Sequence, residues 1–515
     1  MSTSKGLGPA FHPPQVRPRD RHNEKLVAKV HPPDWINPVP RSRYNMVVIG
    51  AGTAGLVTAI IAARVGGKVA LIERHLLGGD CLNYGCVPSK ALIRAARVAA
   101  AVREAGSFGV GLDGAAVVNF SAVMERMRRL RSEISRHDAA ERFRKAGIDV
   151  FFGSARFKGS DSVAFGETTL HFARACIATG ARAAAPPIPG LSQAGYLSNE
   201  NLFSLTKLPR RFGVIGGGPI GCEMAQSFAR FGAEVILFEA DERILTHDDP
   251  ALTERVYDAL VADGVQFVMS AKVARVAQTA RGKLIEYSKD GISYEAVVDE
   301  ILVAAGRTPN LDLDLETAGV DYDPRAGITV DDRLRTTNPR VYAAGDVCSS
   351  FKFTHMAEAM AGVVIRNALF FGRARTSALT IPWSTYTDPE LAHVGLTPSM
   401  AAERDLEITS FEQPFTEVDR AVLEGESHGL ARIHLRRGSD EILGASVVAS
   451  HAGEMISEIT LAMTTGLGLR KIAATIHPYP TQSEVWKKLA NQYMKTRLTP
   501  FATSVFRRLL RWRRR

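Results

Sequence analysis

Two long stretches of the chain repeat one rhythm of apolar and polar positions. From Tyr44 an apolar run (NMVVIG) leads into a glycine turn, a helix-period stretch to about Val65, and a second apolar run (KVALIE). From Arg211 the order recurs: RFGVIG, a glycine turn, a helical stretch to about Phe231, and EVILFE. Two copies of strand–turn–helix–strand, their first turn glycines 166 residues apart, predict two dinucleotide-binding units. Between them the pattern predicts helices near 89–105 and 121–146 and short strands around 148–178. After about 380 it changes to strands such as LARIHL and EILGASVV, with helices near 451–466 and 481–495, which reads as a separate α+β domain. Residues 1–43 are rich in Pro, His and Arg, lack sustained periodicity, and are expected to form a flexible arm.

The turns carry the first chemistry. They read Gly50-Ala51-Gly52-Thr53-Ala54-Gly55 and Gly216-Gly217-Gly218-Pro219-Ile220-Gly221. Glycine lets the backbone turn tightly and approach a pyrophosphate, which then sits on a helix N-terminus. A lone motif of this kind is weak evidence, but each copy here follows a strand and opens a helix. Each is also followed, 23 residues after its first glycine, by an acid placed to accept a ribose hydroxyl: Glu73 and Glu239. A carboxylate at Glu239 repels a 2′-phosphate, so NADH is the expected nicotinamide, with NADPH as the alternative because Arg243 lies nearby.

The segment from Gly78 to Lys90, GGDCLNYGCVPSK, carries the second. Cys81 and Cys86 stand at the start of a predicted helix, where the helix terminus and a nearby Lys lower a thiol's pKa and suit it to nucleophilic and redox exchange. A zinc site would need two further ligands at matching spacing, and none is present. The remaining cysteines, Cys176, Cys222 and Cys348, stand alone in apolar or glycine-rich settings and read as packing residues. An odd, sparse set of five is no extracellular disulfide framework.

With these motifs the chain is identified, by resemblance over about 44–500, as a member of the pyridine nucleotide–disulfide oxidoreductases, the family of glutathione reductase, dihydrolipoamide dehydrogenase and mercuric reductase. The resemblance implies an α/β fold with two Rossmann-like domains, for FAD and for NAD, and a C-terminal α+β dimerisation domain. The expected divisions are a 1–43 arm, 44–187 and 309–380 binding FAD, 188–308 binding NAD(P)H, 381–500 as the dimer interface, and a basic amphipathic tail at 501–515. It implies FAD on the first turn (Gly50, Gly52, Gly55, Glu73) and on a second FAD motif ending at Asp346, and the nicotinamide on Gly216, Gly218, Gly221 and Glu239. Thr179, Gly180 and Gly306 fall in the domain junctions ATG and AAGRTPN. Carried over, Cys86 faces the flavin, Cys81 is the interchange thiol, and Lys90 lies near flavin N5, paired with Glu223. Electrons then pass from the nicotinamide through the flavin to the Cys81–Cys86 disulfide and on to an acceptor.

The acceptor is where the pattern departs. Disulfide reductases of the family end in a motif like His-Pro-His-Pro-Thr, whose second His serves the partner subunit's thiols. Here it reads His477-Pro478-Tyr479-Pro480-Thr481, with Glu484 at the dyad's acid. A phenol near pKa ~10 is a poor proton shuttle at neutral pH, whereas His near ~6.5 is a good one. Mercuric reductases also carry Tyr here, so Hg(II) or another thiophilic ion, held transiently on Cys81 and Cys86, is the leading substrate. The alternatives are reduction of another disulfide or electrophile, and a lipoamide-dehydrogenase-like subunit of a larger complex. This chain has neither the Cys-x-x-Cys metal-binding domain nor the terminal cysteine pair of mercuric reductases, so a metal would enter directly. Asp80 replaces the usual Thr and sets a negative charge beside Cys81.

Charge narrows the partners. The formal net charge is +10, but residues 1–43 carry +5 and 501–515 carry +6, which leaves the body near −1. A nucleic-acid-binding face on the body is therefore not expected. No apolar run reaches the ~18 residues of a membrane span, and no apolar leader opens the chain, so a cytoplasmic location is expected; the family resemblance implies a homodimer. At 100° per residue the tail places Phe501, Val505, Phe506, Leu509, Leu510 and Trp512 on one half of a helix. Five of its six arginines fall on the other half, a pattern that fits weak contact with the inner face of a membrane.

Overall fold

The computed structural model describes residues 15–111, 114 and 117–514. The chain folds as two compact units, one of residues up to 217 with 227–240 and 270–379, the other of 218–226, 241–269 and 380 onward.

The first unit opens with a correction to the expected arm from residue 15 onward, its first 14 residues lying outside the described ones. Helix α1 (Arg21–Val30) begins at Asp20, whose carboxylate accepts from the His22 and Asn23 amides. Its apolar residues Leu26 and Val30 are fully buried. Polar bonds finish the attachment. Asp20 pairs with Arg128 at 2.5 Å, Lys29 reaches the Ser132 carbonyl, and further on Arg41 bridges Asp149 at 2.7 Å. Residues 15–43 thus belong to the domain's packing. Apolar periodicity does not reveal them because much of their attachment is polar.

Next come β1 (Tyr44–Ile49), α2 (Thr53–Arg64), β2 (Val69–Glu73), α3 (Gly79–Asn83), α4 (Cys86–Glu104) and α5 (Phe120–Ile134). The expected single helix over 121–146 is two helices, because Ala139 takes an extended conformation before Ala140–Lys145. Strands β3 (Ile148–Phe152) and β4 (Thr168–Ile177) complete a parallel core ordered β3–β2–β1–β4, with Val341–Ala343 also pairing β4. Its central strands β1 and β2 are buried on both faces except at Asn45, as parallel strands covered by helices should be. A second parallel set places β5 (Arg211–Ile215) between β6 (Glu234–Phe238) and β7 (Glu300–Val303). Helix α6 (Pro219–Phe231) joins β5 to β6 in the chain. Both strand–turn–helix–strand copies stand where the sequence pattern put them.

The second unit is built on an antiparallel sheet in the order Pro382–Thr385, Glu390–Gly395, Ile442–Ala449, Leu430–Arg436, Ile408–Pro414. Helices Ala452–Thr464 and Glu484–Thr496 bury Ile456, Ile459, Trp486 and Leu489 in a core shared with the strand residues Ile433, Leu435 and Val447. This is the expected α+β domain. The chain closes with α7 (Pro500–Arg513), none of whose residues is buried. Among the described residues no helix is long and apolar enough to cross a membrane.

Candidate active site

The first glycine turn is a backbone cradle. Gly50 has φ +100°, and a Cβ there would lie 2.4 Å from the Ala178 carbonyl oxygen. A Cβ on Gly55 would fall 1.8 Å from the Gly50 oxygen, and one on Gly79 would fall 2.6 Å from the Gly52 Cα. Side chains are therefore excluded where α2 meets the redox segment, the condition a closely held pyrophosphate imposes. Glu73 ends β2 with its carboxylate bonded to the Ala51 amide at 2.7 Å and the His75 amide at 2.7 Å. Burial pushes its pKa up against those two hydrogen bonds. The residues fit FAD.

The second turn follows the same rule. Gly216 has φ +109°, a Cβ on it would meet the Ala304 carbonyl at 2.6 Å, and the Gly217 amide donates to Glu239. In the other unit the Gly218 carbonyl accepts from the Cys222 amide as α6 begins. Gly221 lies within that helix. Arg243 spends its guanidinium on the carbonyls of Leu245, Thr246 and Asp248. Around the domain junction, Thr179 and Asn310 exchange hydrogen bonds, and the Gly180 carbonyl accepts the Asn310 amide. The Gly306 carbonyl accepts from Ala184.

The cysteines stand on two short turns of chain, Cys81 in α3 and Cys86 as the first residue of α4. Their thiols hydrogen bond to one another, and Cys86 Sγ also lies 3.3 Å from Thr354 Oγ1. Cys86 keeps a solvent-accessible edge although most of its surroundings are protein. The pair is polarised. The Cys81 hydrogen bond pulls the Cys86 thiol down to about 6 against burial, with Thr354 and the Lys90 charge helping. Cys81 moves the other way, raised by donating to Cys86 and by its own burial.

Asp80 corrects an expectation. Its carboxylate does not stand bare beside Cys81. Oδ2 accepts Arg307 Nη1 at 3.1 Å, and Oδ1 accepts Asn199 Nδ2 at 2.7 Å. Arg307 also pairs with Asp346 at 3.4 Å and donates to the Ala181 carbonyl at 2.8 Å. Burial works against the charge on Arg307, but Asp80 and Asp346 outweigh it and raise its pKa. The second FAD motif and the redox segment thus share one arginine.

A second support comes from α1. Buried Arg131 of α5 donates to the Asn23 side-chain oxygen and to the Asn83 carbonyl, each at 2.7 Å. Asn83 lies between the two cysteines and bonds the Leu77 and Gly79 carbonyls. The Leu77 amide reaches the Val30 carbonyl at 3.1 Å. Sequence reasoning missed Thr354, Asn199 and Asn23, whose partners lie 268, 119 and 108 residues away.

In the second unit Glu223 is buried and accepts the Tyr386 amide at 3.0 Å. Tyr479 is 71% exposed, and its hydroxyl donates to Asp419 at 2.8 Å. That hydrogen bond, with the Asp419 charge behind it, raises the phenol's pKa further. His477 turns instead to Glu458 at 2.9 Å, with a side chain only 6% exposed. The Glu484 Oε2 atom is buried with no hydrogen-bond partner among the described residues.

Comparison with known proteins agrees with this geometry. The pyridine nucleotide-disulphide oxidoreductase family profile matches residues 44–361, and that family's dimerisation domain matches 381–490. The chain is 34% identical over 442 residues to a mercuric reductase of Bacillus cereus, covering 86% of this chain and 70% of that protein. It is 35% identical over 460 residues to a dihydrolipoyl dehydrogenase of Chlamydia muridarum, covering 87% and 96%. Among solved structures it resembles the HOCl-induced flavoprotein disulfide reductase RclA from Escherichia coli. There the TM-score is 0.77 and the identity 28%, over 87% of this chain and 99% of that one. A Cu(II) complex of RclA matches with the same score and identity over 86% and 99%.

Proposed function

The chain belongs to the pyridine nucleotide-disulphide oxidoreductases, and from that premise we propose that it passes electrons from NADH through the Cys81–Cys86 pair to a thiophilic metal ion such as Hg(II). It is an FAD-containing, NAD(P)H-dependent oxidoreductase with the family's dimerisation domain. FAD, when bound, relays an electron pair between the nicotinamide and the cysteine disulfide. Gly50, Gly52, Gly55, Glu73 and Asp346 would hold it, with Thr179, Gly180 and Gly306 at the junctions. Gly216, Gly218, Gly221 and Glu239 would hold the nicotinamide.

One observation carries the choice of acceptor: the position that needs an acid–base imidazole holds Tyr479, an exposed phenol bonded to Asp419. A disulfide substrate leaves a thiolate that must be protonated, and a phenol with a raised pKa does this poorly at neutral pH. The motif's imidazole, His477, is engaged with Glu458. A soft metal ion asks only for thiolate ligands and electrons. In the reduced pair Cys86 offers the thiolate and Cys81 holds the proton until the metal displaces it. Lys90 keeps positive charge near Cys86, and Glu223 retains the role its motif position implies. Similarity to mercuric reductases and to a protein solved with Cu(II) supports this reading.

For the nicotinamide, Arg243 is already bound to three carbonyls, which favours NADH. A second reading, reduction of a disulfide, is favoured by the likeness to RclA. A lipoamide-dehydrogenase-like role in a complex is opposed by Tyr479. The test is NADH oxidation with Hg(II)–thiol complexes beside a panel of disulfides that includes lipoamide. Metal turnover should exceed every disulfide, and a disulfide turned over faster than Hg(II) would overturn the proposal.

A further inference from the structure

Helix α7 (Pro500–Arg513) is capped by Thr499, whose hydroxyl accepts the Ala502 amide at 3.2 Å, and it buries none of its residues. Its apolar side chains lie open: Phe501 is 79% exposed, Trp512 72% and Leu510 58%. Around the helix axis they occupy one half with Val505, Phe506 and Leu509, while Arg507, Arg508, Arg511 and Arg514 take the other and Arg513 alone falls within the apolar arc. Phe501 and Trp512 fall within about 20° of each other, ~16 Å apart along the axis, so two aromatic anchors line one edge. No acidic residue follows Glu484 in the chain.

We propose that α7 docks the enzyme, parallel to the surface, on a membrane leaflet of anionic lipid. The occupant must be apolar within and negative outside, because the apolar strip of Pro500–Arg513 is flanked by arginines with no acidic side chain among them. Nucleic acid supplies the charge but has no use for a strip of Phe, Leu and Trp. A second copy supplies apolar surface, but outside residues 1–43 and 501–515 the chain carries a net charge near −1, too little to match six arginines. The helix is too short to cross a bilayer: at 14 residues it spans ~21 Å of the ~30 Å core. It therefore lies in the interface, where Trp is favoured and arginines meet lipid phosphates.

The test uses full-length, FAD-loaded protein and vesicles of phosphatidylcholine with or without one-third phosphatidylglycerol. Each arginine near an anionic surface strengthens binding by up to about fivefold before salt screening. The wild type should therefore bind anionic vesicles at least about tenfold more tightly than neutral ones, and should release as salt rises. Arg507→Gln/Arg508→Gln/Arg511→Gln should lose that preference, and Leu509→Ser/Leu510→Ser should lose binding to both vesicles. Neither should change flavin content or far-ultraviolet circular dichroism, since none of the residues of α7 is buried among the described residues. Equal binding to both vesicle types, no binding at low salt, or variants that bind like wild type would each overturn the proposal. So would a Leu509→Ser/Leu510→Ser variant that sediments as a smaller species, because the strip would then cover a second copy. Tighter binding to RNA than to anionic vesicles would do the same.

Discussion

Replacing Cys81 in two ways separates the proton donor from the sulfur. In the structure the largest influence lowering Cys86, from an ordinary 9.0 to about 6, is the hydrogen bond from Cys81. Ser at position 81 keeps a donor to Cys86 and Ala does not. A thiol near 6 is about nine-tenths thiolate at pH 7, whereas one near 9 is about one-hundredth thiolate. In Cys81→Ser the thiolate should therefore titrate near 6. In Cys81→Ala, with only Thr354 and Lys90 left to help, the midpoint should rise by at least about one unit. Two readouts follow the ionisation: the long-wavelength charge-transfer band against the flavin, and thiolate absorbance near 240 nm in protein freed of flavin. Cys86→Ser should lack the band at every pH. The sign extends to stability: a depressed thiol favours the folded state above its ordinary value, and that contribution fades as the pH falls through about 6. Identical midpoints for Cys81→Ser and Cys81→Ala, or a band in Cys86→Ser, would refute the assignment of donor and thiolate.

Three further outcomes are expected. Leu26→Ala removes a fully buried side chain from α1 and should cost about 3 kcal/mol; hydrogen exchange across 21–30 should then speed by roughly two orders of magnitude, and unchanged protection would mean α1 is not held by its core contacts. Glu239→Arg should shift preference from NADH toward NADPH in initial rates, whereas a wild type that already prefers NADPH would assign discrimination to another residue. Tyr479→His should raise disulfide turnover relative to Hg(II) turnover, and a constant ratio would show that position 479 does not choose the acceptor.

What was legible in the sequence was local. A glycine turn, its following acid and a pair of cysteines five residues apart declare themselves within about 25 residues, so both glycine turns and the cysteine segment could be singled out without a fold. What stayed hidden depends on chain segments meeting from afar. Residues 15–43 read as an arm because Pro and Arg outweigh a short apolar stripe, yet Asp20 and Asn23 find buried arginines 108 residues on. One signal was available: Asp20 stands directly before a run of helix formers, the N-cap position its side chain fills. Asp80 was misjudged for the same reason. Its neighbour in sequence is Cys81, but its neighbours in space are Arg307 and Asn199.

Those remote contacts also explain how one short segment holds two thiols in different states. Positive influence reaches Cys86, from Lys90 and from the start of α4. The acid that bears on Cys81 is Asp138, which adds to the rise set by its bond to Cys86 and by burial. The Asp80 carboxylate opposes a thiolate at Cys86, but it is paired with Arg307, and its influence ranks below those of Cys81, burial, Thr354 and Lys90. Substituting Thr, the residue usual in the family, would remove the carboxylate and leave Arg307 with Asp346 and the Ala181 carbonyl. The Asp80–Arg307 pair therefore belongs to the support of the redox segment, joining it to the second FAD motif, while Arg131 and Asn23 hold the same segment from the side of α1. The bond between the thiols sets Cys86 low and Cys81 high, with Thr354 and Lys90 helping Cys86, while contacts from Arg307, Asn199 and Arg131 hold the segment that carries the pair.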